Sequence, residues 1–154
     1  MADATITVFH NISSDGMGRH AGFSGYQPGH ALAPVARYTR PSHDVFTLAE
    51  HAFMIFNVGD DPSFGEPNPL AVEYRSRKNR SLSVGDVVLV QTADQDTWLS
   101  CESFGFDRID VPSWLVFASQ YGTTSLDAED CPVPSVTYQF VLDKEGGHGK
   151  SPRH

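Results

Sequence analysis

The sequence predicts an α+β domain: a mainly antiparallel sheet of five to six strands, one well-capped helix packed on it, and a long glycine-rich loop. Three observations carry this. Runs rich in β-branched and aromatic residues recur at 4–12, 83–92, 97–104 and 135–143, with turn residues between them. One segment, 47–57, repeats its apolar residues at helical spacing. The stretch 13–30 holds five glycines and a proline and has no periodicity.

In chain order, "ATITVFHNI" (4–12) reads as the first strand, and a second strand follows the glycine loop at Val35–Thr39. Pro34 restricts that strand to an edge or to its own start, because proline offers no N–H to a ladder. In "TLAEHAFMIFN", Thr47 and Glu50 have capping-box spacing. Leu48, Ala49, Ala52, Phe53 and Phe56 define its apolar face, so Phe53 is expected in the core. Pro69 suits the first position of a short second helix, "LAVEYRSRK", since the N–H it lacks is unpaired there anyway.

"SVGDVVLVQT" and "TWLSCESF" flank "ADQD" as a hairpin. Val87, Val88, Leu89 and Val90 put apolar groups on both faces, which places that strand centrally. In "SFGF", Phe104 and Phe106 fall on one side of a continuing strand, and core packing is the first expectation for both. "VPSWLVFASQYG" fits strand or helix, and "SVTYQFVLD" alternates as a half-buried last strand. The domain spans 1–142, and the tail 143–154, rich in glycine and charge, is expected to be disordered.

A chain of 154 residues that is 40% hydrophobic can bury a core without staples. No apolar run reaches the length of a membrane span, and the N-terminus is too polar for a signal peptide, so a cytoplasmic protein is expected. Cys101 and Cys131 match no zinc or redox spacing, and Cys101 reads as a buried free thiol. The seven histidines include no HxH or HExxH, so no metal site and no cofactor are expected. "DGMGRHAG" precedes no helical period, which removes a dinucleotide fingerprint.

Charge is unevenly placed. The net is −8, and Gln91–Glu145 alone carries ten acids against Arg108 and Lys144. Arg75, Arg77, Lys78 and Arg80 form a local cation island just ahead of the most hydrophobic strand. Two accounts fit it. The cations can clamp phosphates or an acidic partner, with Ser81 adding a hydroxyl. They can also be a solvated ramp that complements a helix end and guards an aggregation-prone strand. The ramp account expects little loss of stability when they are neutralised. In "SLSVGD", Gly85 suits a positive φ and Asp86 can close the turn. Arg19, His20 and Tyr26 are candidates for partner contact from the glycine loop.

Phe56-Asn57, the run Ser81–Val88 and the closing Ser103–Phe106 together resemble the YodL-like domain family, over about residues 35–112. The chain departs from that pattern at Gly85 and in an insertion from Gly59 to Tyr74. The resemblance implies a bacterial accessory protein carried on plasmids, phages and other mobile elements, with interference with host defence as one such role. It supplies no catalytic residues, because the family has none established.

Two functional classes follow. The first is a non-enzymatic protein-binding or regulatory module. The alternative is a nucleic-acid binder using the 75–80 cations and nearby aromatics. No nucleophile, base and orienting group can be assembled from spacing, so no catalytic residue is assigned.

Overall fold

The computed structural model describes residues 3–13, 25–77, 79–116 and 139–140. Within them the chain is mixed α+β. The strands are β1 (Asp3–Asn11), β2 (Leu32–Pro41), β3 (Val87–Gln91), β4 (Asp96–Glu102), β5 (Gly105–Ile109), β6 (Leu115–Val116) and β7 (Gln139–Phe140). They form one sheet in the order β5-β4-β3-β1-β2-β6-β7. The β1–β2, β1–β3, β3–β4 and β4–β5 ladders are antiparallel, whereas β2–β6 and β6–β7 are parallel. The helices are α1 (Val45–Val58) and α2 (Pro69–Ser76). The predicted tail, 143–154, and most of the predicted last strand lie outside the described residues.

Both faces of the sheet are buried at its centre. Ala4, Ile6, Val8, Val88, Val90, Leu99 and Cys101 face the helices, whose Leu48, Ala52, Ile55, Phe56 and Tyr74 complete that core. Phe9, Leu32, Val87, Leu89, Trp98 and Leu115 pack together as a second cluster, with Phe9 and Trp98 rings 5.3 Å apart. The two-sided apolar pattern of β3 thus matches its place between β1 and β4.

Pro34 sits inside β2 rather than at its first residue. The ladder to β1 shifts there, with Val8 opposite Ala36 and Phe9 opposite Pro34, so Val35 is the extra residue of a bulge. The bulge accommodates a residue that cannot donate, and it turns Val35 and Ala36 into the same core.

Helix α1 begins two residues before Thr47. Asp44 is its N-cap, and its carboxylate accepts the Thr47 N–H at 3.1 Å, so the expected Thr47–Glu50 box is not the start signal. Asp44→Ala is expected to cost about 1 kcal/mol, read as a lower denaturation midpoint at unchanged slope. The buried face is also narrower than expected. Leu48, Ala49, Ala52, Ile55 and Phe56 are buried, while Phe53 is 37% exposed. Phe53 follows Ala52 by one residue and therefore lies about 100° around the helix from the stripe's centre. It reaches the core only by its edge, against Phe106 at 6.4 Å.

Helix α2 starts as expected, with Pro69 in the first turn and the Asn68 side chain accepting the Leu70 N–H at 2.8 Å. No helix among the described residues is long and apolar enough to cross a membrane.

Candidate functional site

The three described cations of the island, Arg75, Arg77 and Arg80, are each bonded to the chain itself. Arg75 turns back from α2 onto the C-terminus of α1, where carbonyls lack helical partners. Its guanidinium donates to Phe56 O at 3.2 Å, Asn57 O at 3.1 Å, Asn79 O at 3.3 Å and Ser81 Oγ at 2.6 Å. Arg77 donates to Glu73 at 2.7 Å and to Val35 O at the β2 bulge, also at 2.7 Å. Arg80 grips Asp86 through two bonds of 2.7 Å. Ser81 is held by Arg75, so its hydroxyl serves the same staple. Lys78 lies outside the described residues.

Asp86 is the hub of this corner. It is only 1% exposed, and its carboxylate also accepts the backbone N–H of Asn11 and of Ser83, each at 2.8 Å. Every ready acceptor position of the carboxylate is used, as a buried charge requires. Gly85, at φ 94°, makes the preceding turn, which the Asp86 N–H closes onto Ser83 O at 3.0 Å. The "SLSVGD" turn is therefore as expected in shape, but Ser81 and Ser83 accept from Arg75 and Arg80.

The network continues into the core. Tyr74 donates its hydroxyl to Arg80 O and meets His10 Nε2 at 2.5 Å. With the Tyr74 proton committed to a carbonyl, His10 Nε2 is the donor of that pair. Asn11 Nδ2 bonds Gly85 O at 3.1 Å and His30 Nδ1 at 2.9 Å, and Gln27 N–H also points to His30 Nδ1 at 3.2 Å. Two donors converging on Nδ1 place the His30 proton on Nε2. Asn57 clamps the same loop from the helix side, exchanging two bonds with the Leu82 backbone at 2.7 and 3.2 Å. Phe56-Asn57 and Ser81–Val88 thus meet in space, and their contact is architectural.

Chemistry accessible from outside lies beside this corner, at the β4–β5 turn that follows Cys101, whose N–H bonds Asp86 O at 2.8 Å. The β4–β5 ladder closes with Glu102 opposite Gly105, leaving Ser103 and Phe104 as a two-residue turn. Gly105 takes φ 107°, open to few other residues. "SFGF" is therefore a turn and not a continuing strand. Phe106 is in the core, but Phe104 is 100% exposed, contrary to the expectation for both. Beside it opens a cleft of about 360 Å³ lined by Glu50, Phe53, Cys101, Glu102, Ser103, Gly105 and Phe106.

Cys101 at its floor is a poor nucleophile. Burial, then the charges of Asp86 and Glu102, push its thiol up to about 12. In a Cys131→Ser background, iodoacetamide at pH 8 is expected to alkylate Cys101 only on the timescale of unfolding. Fast alkylation of the native protein would contradict its placement.

Of the loop candidates, Arg19 and His20 lie outside the described residues. Tyr26 is half-buried, edge-on to His30 at 5.8 Å and packed on the second core cluster, which makes it part of the fold more than a free contact. Its phenol is pushed up by burial and then by Asp110. On α1, His51 bonds the Arg40 guanidinium, and burial followed by that cation holds its imidazole below the ordinary range. Among the described residues no group of three or more His, Cys, Asp or Glu could hold a metal ion.

The residues that sequence reasoning overlooked are Asp86 as a charge hub, Asn57 as a clamp, and Glu50 with Glu102 at the cleft. Asp86 alone carried a signal: an acid at the mouth of a wholly buried strand needs a cation, and Arg80 is close in sequence. Comparison of the chain with protein-family models, with curated proteins and with solved structures gave no match.

Proposed function

We propose that the chain is a non-enzymatic protein-binding module, an accessory or regulatory factor that docks its partner through the face around the β4–β5 turn. The observation that carries this is Phe104, a wholly exposed aromatic on a two-residue turn. Nothing in the turn's own geometry needs an aromatic there. The antiparallel ladder fixes the turn, so little ordering entropy is lost when the ring is covered, and buried aromatic anchors dominate binding energy.

The alternative of nucleic-acid binding rested on the cation island. Arg75, Arg77 and Arg80 bond to the chain's own carbonyls, hydroxyls and carboxylates, which favours the protein partner. The resemblance to YodL-like domains supports the accessory role, and a bacterial or mobile-element system, with a cytoplasmic setting and action against host defence, belongs to the same proposal.

Affinity capture from a nuclease-treated lysate of the native host tests it. Wild type is expected to retain a discrete protein that a Phe104→Ser chain loses at least tenfold, with the melting temperature unchanged. Capture that is indifferent to Phe104→Ser, or that vanishes with nuclease, would overturn the proposal.

A further inference from the structure

We infer that the outer edge of β5 receives an extended strand of the partner, paired to the backbone of Phe106 and Arg108; this rests on the docking role proposed for Phe104. The Cys101 N–H donates to Asp86 O at 2.8 Å, and Cys101 O accepts from the Gly85 N–H at 2.9 Å. Cys101 therefore turns both backbone groups toward β3. Phe106, opposite it in the β4–β5 ladder, turns both of its own away from β4. Alternation along the strand gives Arg108 the same direction. β5 ends the sheet, and among the described residues nothing bonds these two N–H and two C=O groups.

Apolar groups flank the edge at both ends. Phe104 stands 100% exposed just before β5, and Val111 is 44% exposed just after it. On the helix side lies the cleft of about 360 Å³, where Phe53 and Phe106 stand edge to face at 84°. A second cleft, of about 580 Å³ and lined by Tyr26, Ile109 and Val111, opens at the far end. A residue paired with Phe106 points its side chain to the face that Phe106 occupies, and so into the first cleft. Backbone bonds of this kind supply affinity, and pockets for alternate side chains choose the sequence.

The five-residue length of β5 and the exposed charges of Asp107 and Arg108 guard the edge against indiscriminate pairing. Arg108 is held over the Phe46 ring at 5.3 Å, and Asp107 forms no ion pair among the described residues. Asp107 alternates with Phe106 and faces away from the helices. That carboxylate and the net charge of −8 disfavour an acidic segment, and they disfavour a second copy of this chain. The occupant is a neutral or basic extended segment of the partner, with apolar residues at alternate positions.

Random twelve-residue peptides displayed on phage and selected on the full chain provide the probe. Selected peptides are expected to alternate apolar with polar residues and to carry no net negative charge. In the synthetic peptide, single N-methylations should weaken binding about tenfold or more at every second residue, and little between. On the protein side, Arg108→Pro removes the outward N–H and spares the β4–β5 ladder, and should also cost about tenfold or more. Arg108→Ala keeps that N–H and should lose much less. The N-methyl scan decides the matter if Arg108→Pro is unstable.

No selected binder, an N-methyl scan without the two-residue period, or binding indifferent to Arg108→Pro would overturn the inference. So would a chain that sediments as a dimer and becomes a monomer with Arg108→Pro, since the edge then belongs to a second copy. If binders lacking the two-residue period are still lost with Phe104→Ser, the docking role stands without the added strand. If they are not, both fall.

Discussion

Arg80→Gln is expected to lower the unfolding free energy by about 2–4 kcal/mol. Its partner Asp86 is 1% exposed, so removing the guanidinium leaves a buried carboxylate with only two backbone N–H donors. Breaking a fully buried pair costs roughly 3–5 kcal/mol. The lower figure applies because the Arg80 side chain is 41% exposed and water can approach as it is removed. The loss should appear as a reduced denaturation midpoint at unchanged slope. Adding Asp86→Asn to Arg80→Gln should cost less than it does alone, because the charge has already lost its partner. A loss within about 0.5 kcal/mol, as for ordinary surface changes, would mean the side chain is solvated.

Phe56→Ala should be as damaging, at about 3–5 kcal/mol, and Phe53→Ala much milder, at about 1 kcal/mol. Phe56 is 1% exposed, with its ring 4.6 Å from Tyr74 and 5.8 Å from Tyr38, so its removal opens a hole where both helices meet the sheet. Phe53 gives up one edge contact and some rim area. Equal losses for the two variants would mean that α1 is rotated from the orientation described.

These two variants mark how far the sequence could be followed. Patterns governed by local physics were readable: the two-sided burial of Val87–Val90, the Pro69 helix start, the Gly85 turn. The face of α1 was read only approximately, because Phe53 and Ile55 border the same stripe and the sheet decides which one is covered. The pattern around Phe104 points to the core because alternation looks the same whether a strand continues or turns at Ser103.

The cation island was the least readable. Arg75 bonds carbonyls 18 and 19 residues away, and Asp86 bonds an N–H 75 residues away. Backbone groups carry no residue identity, so no pattern in the sequence marks such partners. What looked like surface charge ahead of a hydrophobic strand is the fastening of α1, α2 and β3 to one another. The docking face was hidden for a related reason: Phe53 and Phe106 are separated in sequence and meet only through the packing of α1 on the hairpin.

Site-specific crosslinking addresses the docking face most directly. A benzophenone side chain replaces Phe104 in one full-length chain and Val72 in another, the latter being an exposed apolar position on α2. Both are expressed in the native host and irradiated there. The account predicts one discrete protein adduct from position 104 and none from position 72. Adducts of equal yield from the two positions, or a nucleic-acid adduct from position 104, would contradict it.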